Sequence, residues 1–265
     1  MTRILHISDL HFGAEDPALT DALLEIAAHL KPDVTAAAGD FTQYGRRREF
    51  AAAAAFFDAL PGPVVAAPGN HDTPYLDVVA RAVRPWRRFE AALGGAVQPG
   101  WRNEGVGLEA LHTARGLQAR LDWSLGKART SHVREAARRL TDVDGVRVVA
   151  CHHPLIAPGG PKGRARTTGG ARAAHLLAES GVDLVLTGHL HQVFALPLER
   201  EDGRVSWFIG AGTALSRRVR GEPAGFNVID IDQDRAVMRA YAAEGGRFIE
   251  SDVRELGFSL ADTRP

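Results

Sequence analysis

Short apolar runs alternate with amphipathic segments along the first two thirds of this chain. Continuous apolar runs at 3–8, 33–39 and 62–68 predict buried strands, and segments 18–30 and 47–60 have the apolar spacing of helices. Strands that alternate with helices in this order are typical of a parallel or mixed sheet with helices packed on it. The pattern therefore predicts an α/β fold.

The same alternation continues to residue 188, and then the pattern changes. Further strands are predicted at 106–115, 146–151 and 182–188, and helices at 74–93, 131–140 and 169–180. Pro85 must break or kink the helix over 74–93, because its ring removes a hydrogen bond and clashes with the preceding turn. From 192 to 243, strand-like segments follow one another without helices, which predicts a β-meander and a second sheet of antiparallel character.

The chain contains no internal repeat and no low-complexity linker, so one domain over 1–265 is expected. A Gly-, Pro- and Arg-rich stretch at 157–170 is the one long loop that the pattern predicts. Long loops in compact domains are often functional, so this stretch is a candidate substrate-binding element.

Composition narrows the class of protein. Lys and Arg together number 32, as do Asp and Glu, so the formal net charge is zero and a general nucleic-acid-binding role is disfavoured. Cys151 is the only cysteine, which excludes an intrachain disulfide and favours a reducing compartment. The N-terminus has no signal-peptide core and no run of about 18 apolar residues occurs, so a cytoplasmic protein without a membrane span is expected.

Reactive side chains follow five of the predicted strands, at the carboxyl end of each. Ligands of open α/β sheets gather beyond this edge, so these side chains are expected to lie together. In chain order they are Asp9 and His11; Asp40; Asn70, His71 and Asp72; His152 and His153; and His189 and His191.

Each of these short motifs taken alone is weak evidence for a site. The stretch "GNHD" could be a turn that caps a helix, and D-x-H or H-x-H alone is more often a satisfied polar cluster. Residues i and i+2 of an extended segment point the same way, so Asp9 with His11, and His189 with His191, could each aim two ligands at one place. The five motifs together predict a metal site.

The ligand types indicate which metals fit this site. Carboxylate, imidazole and amide groups without thiolate suit Mn, Fe, Zn, Co or Ni. Seven candidate ligands are too many for one ion, whereas two ions about 3.5–4 Å apart that share a bridging carboxylate would use them all. These seven are Asp9, His11, Asp40, Asn70, His152, His189 and His191. Two dications and two aspartates leave about two net positive charges, which favours an anionic phosphoester substrate over a neutral amide.

The order "DLH", "GD", "GNHD", "HHP" and "GHLH" over residues 9–191 resembles the five-block pattern of calcineurin-like metallophosphoesterases. The wider segments "HHPL", "VDLVLTGHLH" and "GAGTALSRR" resemble its class III cyclic-nucleotide phosphodiesterase and glycerophosphodiesterase branch. The resemblance implies a four-layer α/β/β/α sandwich in which helices flank two mixed sheets. It also implies hydrolysis of a small phosphodiester by a metal-bound hydroxide, with Mn, Fe or Zn as the two ions.

The resemblance also implies a role for each residue of the motifs. Asp40 would bridge the two ions. His71 would contact the phosphoryl oxygen or protonate the leaving group, and Asp72 would orient the His71 imidazole. His153 is left as a residue behind the ligands or a packing residue. The first ion would be held by Asp9, His11 and His191, and the second by Asn70, His152 and His189.

Substrate contacts and the exact activity stay open. Arg164, Arg166, Arg217 and Arg218 could contact the substrate or lie in solvated loops. A nucleoside-diphosphate-sugar pyrophosphatase or a phosphomonoesterase could use the same metal motifs. A non-catalytic protein-binding scaffold of this fold is a more distant alternative, because such a scaffold should lack part of the ligand set. A homodimer through the second sheet is left open.

Overall fold

A computed structural model describes residues 1–118, 122–159, 167–217 and 221–259. The helices in these ranges are α1 (Pro17–Leu30), α2 (Arg47–Ala59), α3 (Val78–Val83), α4 (Arg87–Leu93), α5 (Thr130–Arg139) and α6 (Gly170–Glu179). The strands are β1 (Thr2–Ile7), β2 (Val34–Ala37), β3 (Val64–Ala66), β4 (Gly100–Arg102), β5 (Val106–Ala110), β6 (Val146–Ala150), β7 (Leu184–Thr187), β8 (Phe194–Glu199), β9 (Val205–Gly210), β10 (Gly225–Asp232), β11 (Arg235–Glu244) and β12 (Arg247–Gly257).

The strands form two six-stranded mixed sheets. The first sheet has the order β12-β11-β10-β1-β2-β3, in which β1, β2 and β3 are parallel and β10 to β12 are antiparallel. The second has the order β4-β5-β6-β7-β9-β8, in which β5, β6, β7 and β9 are parallel and the two edge strands are antiparallel. The parallel strands of each sheet therefore present their carboxyl ends at a common edge.

Burial divides the molecule into four layers, as expected for an α/β/β/α sandwich. Alternate residues of β1 face opposite sides, since Leu5 and Ile7 pack against α1 and α2 while Ile4 packs between the two sheets. Helices α5 and α6 cover the outer face of the second sheet through an apolar cluster that includes Val133 and Leu177. Both faces of each sheet are thus buried, and this explains why the central strands are continuous apolar runs.

The chain after residue 190 departs from the predicted meander. Strands β8 and β9 join the second sheet beside β7, whereas β10, β11 and β12 extend the first sheet from β1. The expectation that these segments form one further antiparallel sheet is therefore wrong. Both sheets need an antiparallel flank to cover their parallel strands, and apolar alternation does not say which sheet a strand joins.

Smaller differences concern element ends. The helical stretch over 74–93 is divided into α3 and α4, and the break falls at Pro85 as predicted. Strand β5 ends at Ala110, five residues before the predicted end, and β12 extends the strand region to Gly257. Within the described ranges, no helix combines the length and the apolarity needed to cross a bilayer.

Candidate metal centre

The side chains that follow β1, β2, β3, β6 and β7 converge at one place between the two sheets. The Nε2 atom of His191 lies 3.0 Å from Oδ1 of Asp9, and Nε2 of His152 lies 3.3 Å from Oδ2 of Asp40. The Oδ1 atom of Asn70 is 3.2 Å from the same His152 nitrogen. The first sheet thus supplies the carboxylates, and histidines of the second sheet meet them.

The backbone turns sharply at the points where these side chains leave the strands. Five of them have left-handed backbone angles, with φ from 49° to 69°: Asp9, His11, Asp40, His189 and His191. Non-glycine residues in this region cost about 1–2 kcal/mol each, and such strain often gathers at functional sites. The i, i+2 pairs are therefore aimed by left-handed turns and not by extended strands.

The pair Asp9 and His11 and the pair His189 and His191 are arranged differently within the cluster. Asp9 and His11 lie in one group with His191, in which a ligand atom of each is within 4.8 Å of the others. His189 belongs to a separate group with His152 and His153. The side chains of His189 and His191 thus fall into neighbouring groups of the same cluster.

The Asp9 carboxylate is held in position by groups on both sheets. Its Oδ2 atom accepts hydrogen bonds from the Ser8 hydroxyl at 2.6 Å and from the backbone N–H of His189 at 2.8 Å. The Thr213 hydroxyl donates to the backbone oxygen of Asp9 at 2.6 Å, which fixes the left-handed turn. Burial alone would raise the pKa of Asp9, but the charge of His191 and its hydrogen bond hold that pKa below its ordinary value.

The Asp40 carboxylate faces a histidine nitrogen that has no proton to offer in its neutral form. The Nδ1 atom of His152 donates to the Ala38 carbonyl at 2.7 Å, so a neutral ring presents the lone pair of Nε2 to Asp40. In the protein alone, burial opposes protonation of His152, yet the Asp40 charge raises its pKa to about 9. A metal ion bound between Asp40 and His152 would take the place of that proton.

His11 provides a second indication that cations belong here. The residue is 1% exposed, and neither ring nitrogen has a hydrogen-bond partner among the described residues. Burial lowers the pKa of His11 to about 4, so the imidazole is neutral and keeps a free lone pair. Within the described ranges, no Lys or Arg forms an ion pair with Asp9 or Asp40. The donor set therefore fits two metal ions of the nitrogen- and oxygen-preferring type.

His71 lies beside this cluster and is only half-buried. Its Nδ1 atom donates to the Gln43 carbonyl at 2.7 Å, which leaves Nε2 without a hydrogen bond to any described residue. Its backbone N–H donates to Oδ1 of Asp40 at 2.8 Å. The ring lies 4.8 Å from that of His11. Its free nitrogen is thus placed next to the candidate metal ligands.

Asp72 has a different partner from the one expected. Its carboxylate accepts the backbone N–H groups of Gly69 at 2.8 Å and Thr42 at 2.9 Å, and lies 3.0 Å from the Thr42 hydroxyl. The expectation that Asp72 orients the His71 imidazole is wrong, since the Gln43 carbonyl holds that ring. Asp72 instead ties the loop after β2 to the loop after β3. Burial, followed by the Asp40 charge, raises the pKa of Asp72 to about 6.

Close packing explains the small residues in these loops. A side chain at Gly69 would collide with the Asp40 carboxylate, and one at Gly188 would collide with the Ser8 hydroxyl and the Asp9 carboxylate. Gly69 is not left-handed, so it permits close approach and does not form a special turn. The sheet edges can meet only because these two positions lack a side chain.

Comparison with known proteins agrees with this geometry. The family described as calcineurin-like phosphoesterase matches residues 2–193, which is most of the chain. The chain belongs to the calcineurin-like phosphoesterase family. Membership implies a metal-dependent phosphoester hydrolase that uses two ions. Among curated proteins, none matches the sequence significantly.

Several solved structures share the fold at low sequence identity. A dimetal phosphatase from Danio rerio has a TM-score of 0.67 and 13% identity, and covers 97% of this chain and 99% of its own. A purple acid phosphatase from yellow lupin seeds has a TM-score of 0.64 and 13% identity, over 98% of this chain and 54% of its own. The calcineurin-like phosphoesterase YfkN from Bacillus subtilis has a TM-score of 0.52 and 12% identity, over 98% and 91%. These likenesses confirm the α/β/β/α sandwich.

His153 does not have the environment of a ligand in this phosphoesterase. Its Nε2 atom donates to the Ser124 carbonyl at 2.9 Å, and its Nδ1 atom lies 3.1 Å from the Thr113 hydroxyl. Both nitrogens are therefore occupied, and burial, followed by the neighbouring histidines, lowers the pKa of His153 well below its ordinary value. It packs behind His152, 4.7 Å from that ring.

The arginines considered as substrate contacts remain untested. Arg217 is exposed at the surface and forms an ion pair with Asp16 at 3.7 Å. Arg164, Arg166 and Arg218 lie outside the described residues. The residues that sequence reasoning missed are Ser8, Gln43 and Thr213, which hold ligands or His71 by single hydrogen bonds. Ser and Thr are too common for their sequence position alone to have marked them, and Gln43 acts through its backbone carbonyl, which every residue type has.

Proposed function

We propose that this protein is a dinuclear-metal-dependent phosphoesterase that hydrolyses phosphodiesters of the cyclic-nucleotide or glycerophosphodiester type. One observation carries the proposal: carboxylate and imidazole groups from five strand ends face one another, and no Lys or Arg of the described residues pairs with these carboxylates. Metal ions bound among these groups would neutralise the buried carboxylates and take the place of protons on the histidines.

Each ion would have its own set of ligands. Asp9, His11 and His191 would hold the first ion, and Asn70, His152 and His189 the second. Asp40 would bridge them, which is supported by its presence in one group with His11 and His71 and in another with Asp9 and His152. When bound, such ions polarise a phosphoryl oxygen and make water more acidic. Mn, Fe or Zn suits these ligands.

The protein groups around the ions would orient the substrate and transfer a proton. The Gln43 carbonyl fixes the tautomer of His71, so Nε2 would face the substrate and contact a phosphoryl oxygen or the leaving oxygen. Asp72 would keep the loop that carries Asn70 and His71 attached to the loop that carries Asp40. His71 would act as an acid–base group and not as a metal ligand.

The charge of the centre and the wider sequence support different parts of the substrate assignment. A centre with about two net positive charges attracts phosphate esters of either kind, diester or monoester. The segments "HHPL" and "GAGTALSRR" resemble the phosphodiesterase branch, and the second of these braces Asp9 through Thr213. Nucleotide-sugar pyrophosphatase and phosphomonoesterase activities would use the same ions. A protein-binding scaffold is disfavoured because the donor set is complete and His71 is present.

A substrate panel tests the proposal. Purified protein would be loaded with Mn(II) and assayed against a cyclic nucleotide, a glycerophosphodiester, a nucleotide-sugar and a phosphomonoester, with EDTA-treated protein as the control. We expect two ions per chain by elemental analysis and the highest kcat/KM on one of the two diesters. Preference for the monoester or the nucleotide-sugar would replace the diester assignment. Protein that binds two ions but hydrolyses none of these substrates would overturn the proposal that it is a phosphoesterase.

A further inference from the structure

A cationic pocket lies next to the metal centre, on the outer side of the segment after β5. The Thr113 hydroxyl contacts His153, which packs behind the metal-centre histidines. The neighbouring residues His112 and Ala114 line a separate pocket of about 410 Å³ instead. The metal centre and the pocket therefore share a wall.

The lining of this pocket is positively charged. Among the described residues, its ionisable members are Arg81, Arg115, Lys127, Arg129, His112 and His132, and none of its described lining residues is a carboxylate. None of its four Lys and Arg side chains forms an ion pair with a residue in the described ranges. By contrast, Arg200, whose side chain is 4% exposed, is paired with Asp183. A gathering of unpaired cations creates a potential that attracts anions.

Arg81 is the most informative member because it is buried. The residue is only 3% exposed, and its Nε atom donates to the Gly116 carbonyl at 2.7 Å. Its Cζ atom lies 4.6 Å from the centre of the Trp123 ring. Its terminal nitrogens have no hydrogen bond to a described residue. A buried guanidinium without a carboxylate is costly, so an anion from solution would stabilise it.

His112 adds an unused polar atom to the same pocket. Its Nε2 atom is buried and has no hydrogen-bond partner within the described part of the chain. The ring meets the Trp86 indole edge-on, with 4.3 Å between the ring centres. Burial, followed by the positive charges of His132 and Arg129, lowers the pKa of His112 to about 4. That shift agrees with an excess of positive charge.

We propose that this pocket is a second binding site, for a small polyanion of the diphosphate type. Several guanidinium groups and a lysine match phosphate oxygens, and four of them together require more than one negative charge. The volume falls within the range of small-molecule sites. Segment 122–127 separates the pocket from the metal centre, since Trp123 contacts Arg81 while the Ser124 carbonyl bonds His153.

The experiment uses the full chain without metal, so that phosphate cannot bind to metal ions. Titration calorimetry with pyrophosphate near physiological salt should show one site. Lys127→Glu and Arg129→Glu should each weaken binding at least about tenfold, because each places a negative charge beside the ligand. Arg134→Glu is the matched control, since it makes the same charge change on α5 but does not line the pocket. It should stay within about twofold of the parent.

Three results would overturn the inference. The first is a lack of pyrophosphate binding by the metal-free chain, with folding verified by circular dichroism. The second is equal weakening by Arg134→Glu and Arg129→Glu, which would indicate a general charge effect. The third is loss of binding in metal-free Asp40→Asn, which would place the ligand at the metal centre. None of these measurements uses catalytic activity, so they are independent of the proposed phosphodiesterase.

Discussion

The two ends of strand β7 adjoin buried carboxylates that have very different partners. Just before the strand, Asp183 accepts hydrogen bonds from Arg200 at 3.2 Å, Arg204 at 3.1 Å and the backbone of Arg147 at 3.0 Å. Beyond the other end, Asp9 and Asp40 face histidines. A buried acid that the protein pairs with arginine belongs to the framework. A buried acid left without a cation indicates a ligand of another origin.

Backbone strain follows the same division. In the part of the chain that the structure describes, all but one of the non-glycine residues with positive φ lie at the metal-centre edge of the sheets, and the exception, Lys31, caps α1. Near Asp183 the left-handed position is occupied by Gly181, where it costs little. Strained backbone is thus found at the edge that carries the metal-ligand residues, and among the described residues it is not found at the Asp183 end of β7.

The largest expected effect comes from removing the bridging charge. Asp40→Asn should lower metal content to one ion per chain or fewer and lower kcat/KM by at least about 10³-fold, because several kcal/mol of charge stabilisation are lost. Elemental analysis and the diester assay measure both quantities. If Asp40→Asn kept two ions and full activity, the Asp40 carboxylate would not be a metal-binding group, and the contrast with Asp183 would fail.

The next largest effect tests whether His71 is a metal ligand or an acid–base group. His71→Ala should keep both ions and slow turnover about 10²- to 10⁴-fold, the usual range for lost acid–base help. His71→Gln, which keeps a polar side chain, should retain the ions equally. If metal content fell as far as in Asp40→Asn, His71 would be a ligand, and the assignment of its free Nε2 atom would be incorrect.

A smaller effect is expected from crowding the loops. Gly69→Ala places a methyl group against the Asp40 carboxylate, so this carboxylate or the Gly69 loop must move. Metal affinity should fall about 10- to 100-fold, as it does when ligand positioning is disturbed. Gly95→Ala is the control, because nothing lies within 4 Å of an added Cβ there. Competition titration with a chromogenic chelator measures both variants, and equal affinities would refute the close-approach argument.

The smallest effect on catalysis should come from the framework end. Asp183→Ala leaves the Arg200 side chain paired only with the exposed carboxylate of Asp202 and should lower the free energy of unfolding by about 3 kcal/mol. Arg204 is nearly half-exposed and can turn to water. Urea unfolding of metal-free protein measures the loss, and kcat per bound ion should remain within about twofold of the parent. A change in kcat as large as that of His71→Ala would contradict the conclusion that Asp183 belongs to the framework and not to the metal centre.

Part of the fold and of the site followed from local pattern. Apolar periodicity predicted β1, β2, β3, β6 and β7, the main helices and the break at Pro85. Polar residues directly after those strands predicted the cluster. Periodicity reports which faces of an element are buried, however, and does not report its neighbour. For this reason β10 to β12 were predicted as part of a further sheet, although β10 pairs with β1 across more than 220 residues of chain and β11 and β12 follow it in the same sheet.

What the sequence determined by itself was the chemistry: the donor types, their order, and the strand ends that bring Asp9, Asp40 and His152 to one edge. Only the tertiary structure decided how each donor is aimed and what each charged group meets. The Gln43 carbonyl on His71, the Thr42 and Gly69 amides on Asp72, and the described set of side chains that lines the pocket with Arg81 all depend on contacts between distant segments. Hydrogen bonds and ion pairs require atoms within a few ångströms, and that proximity is a property of the packed chain.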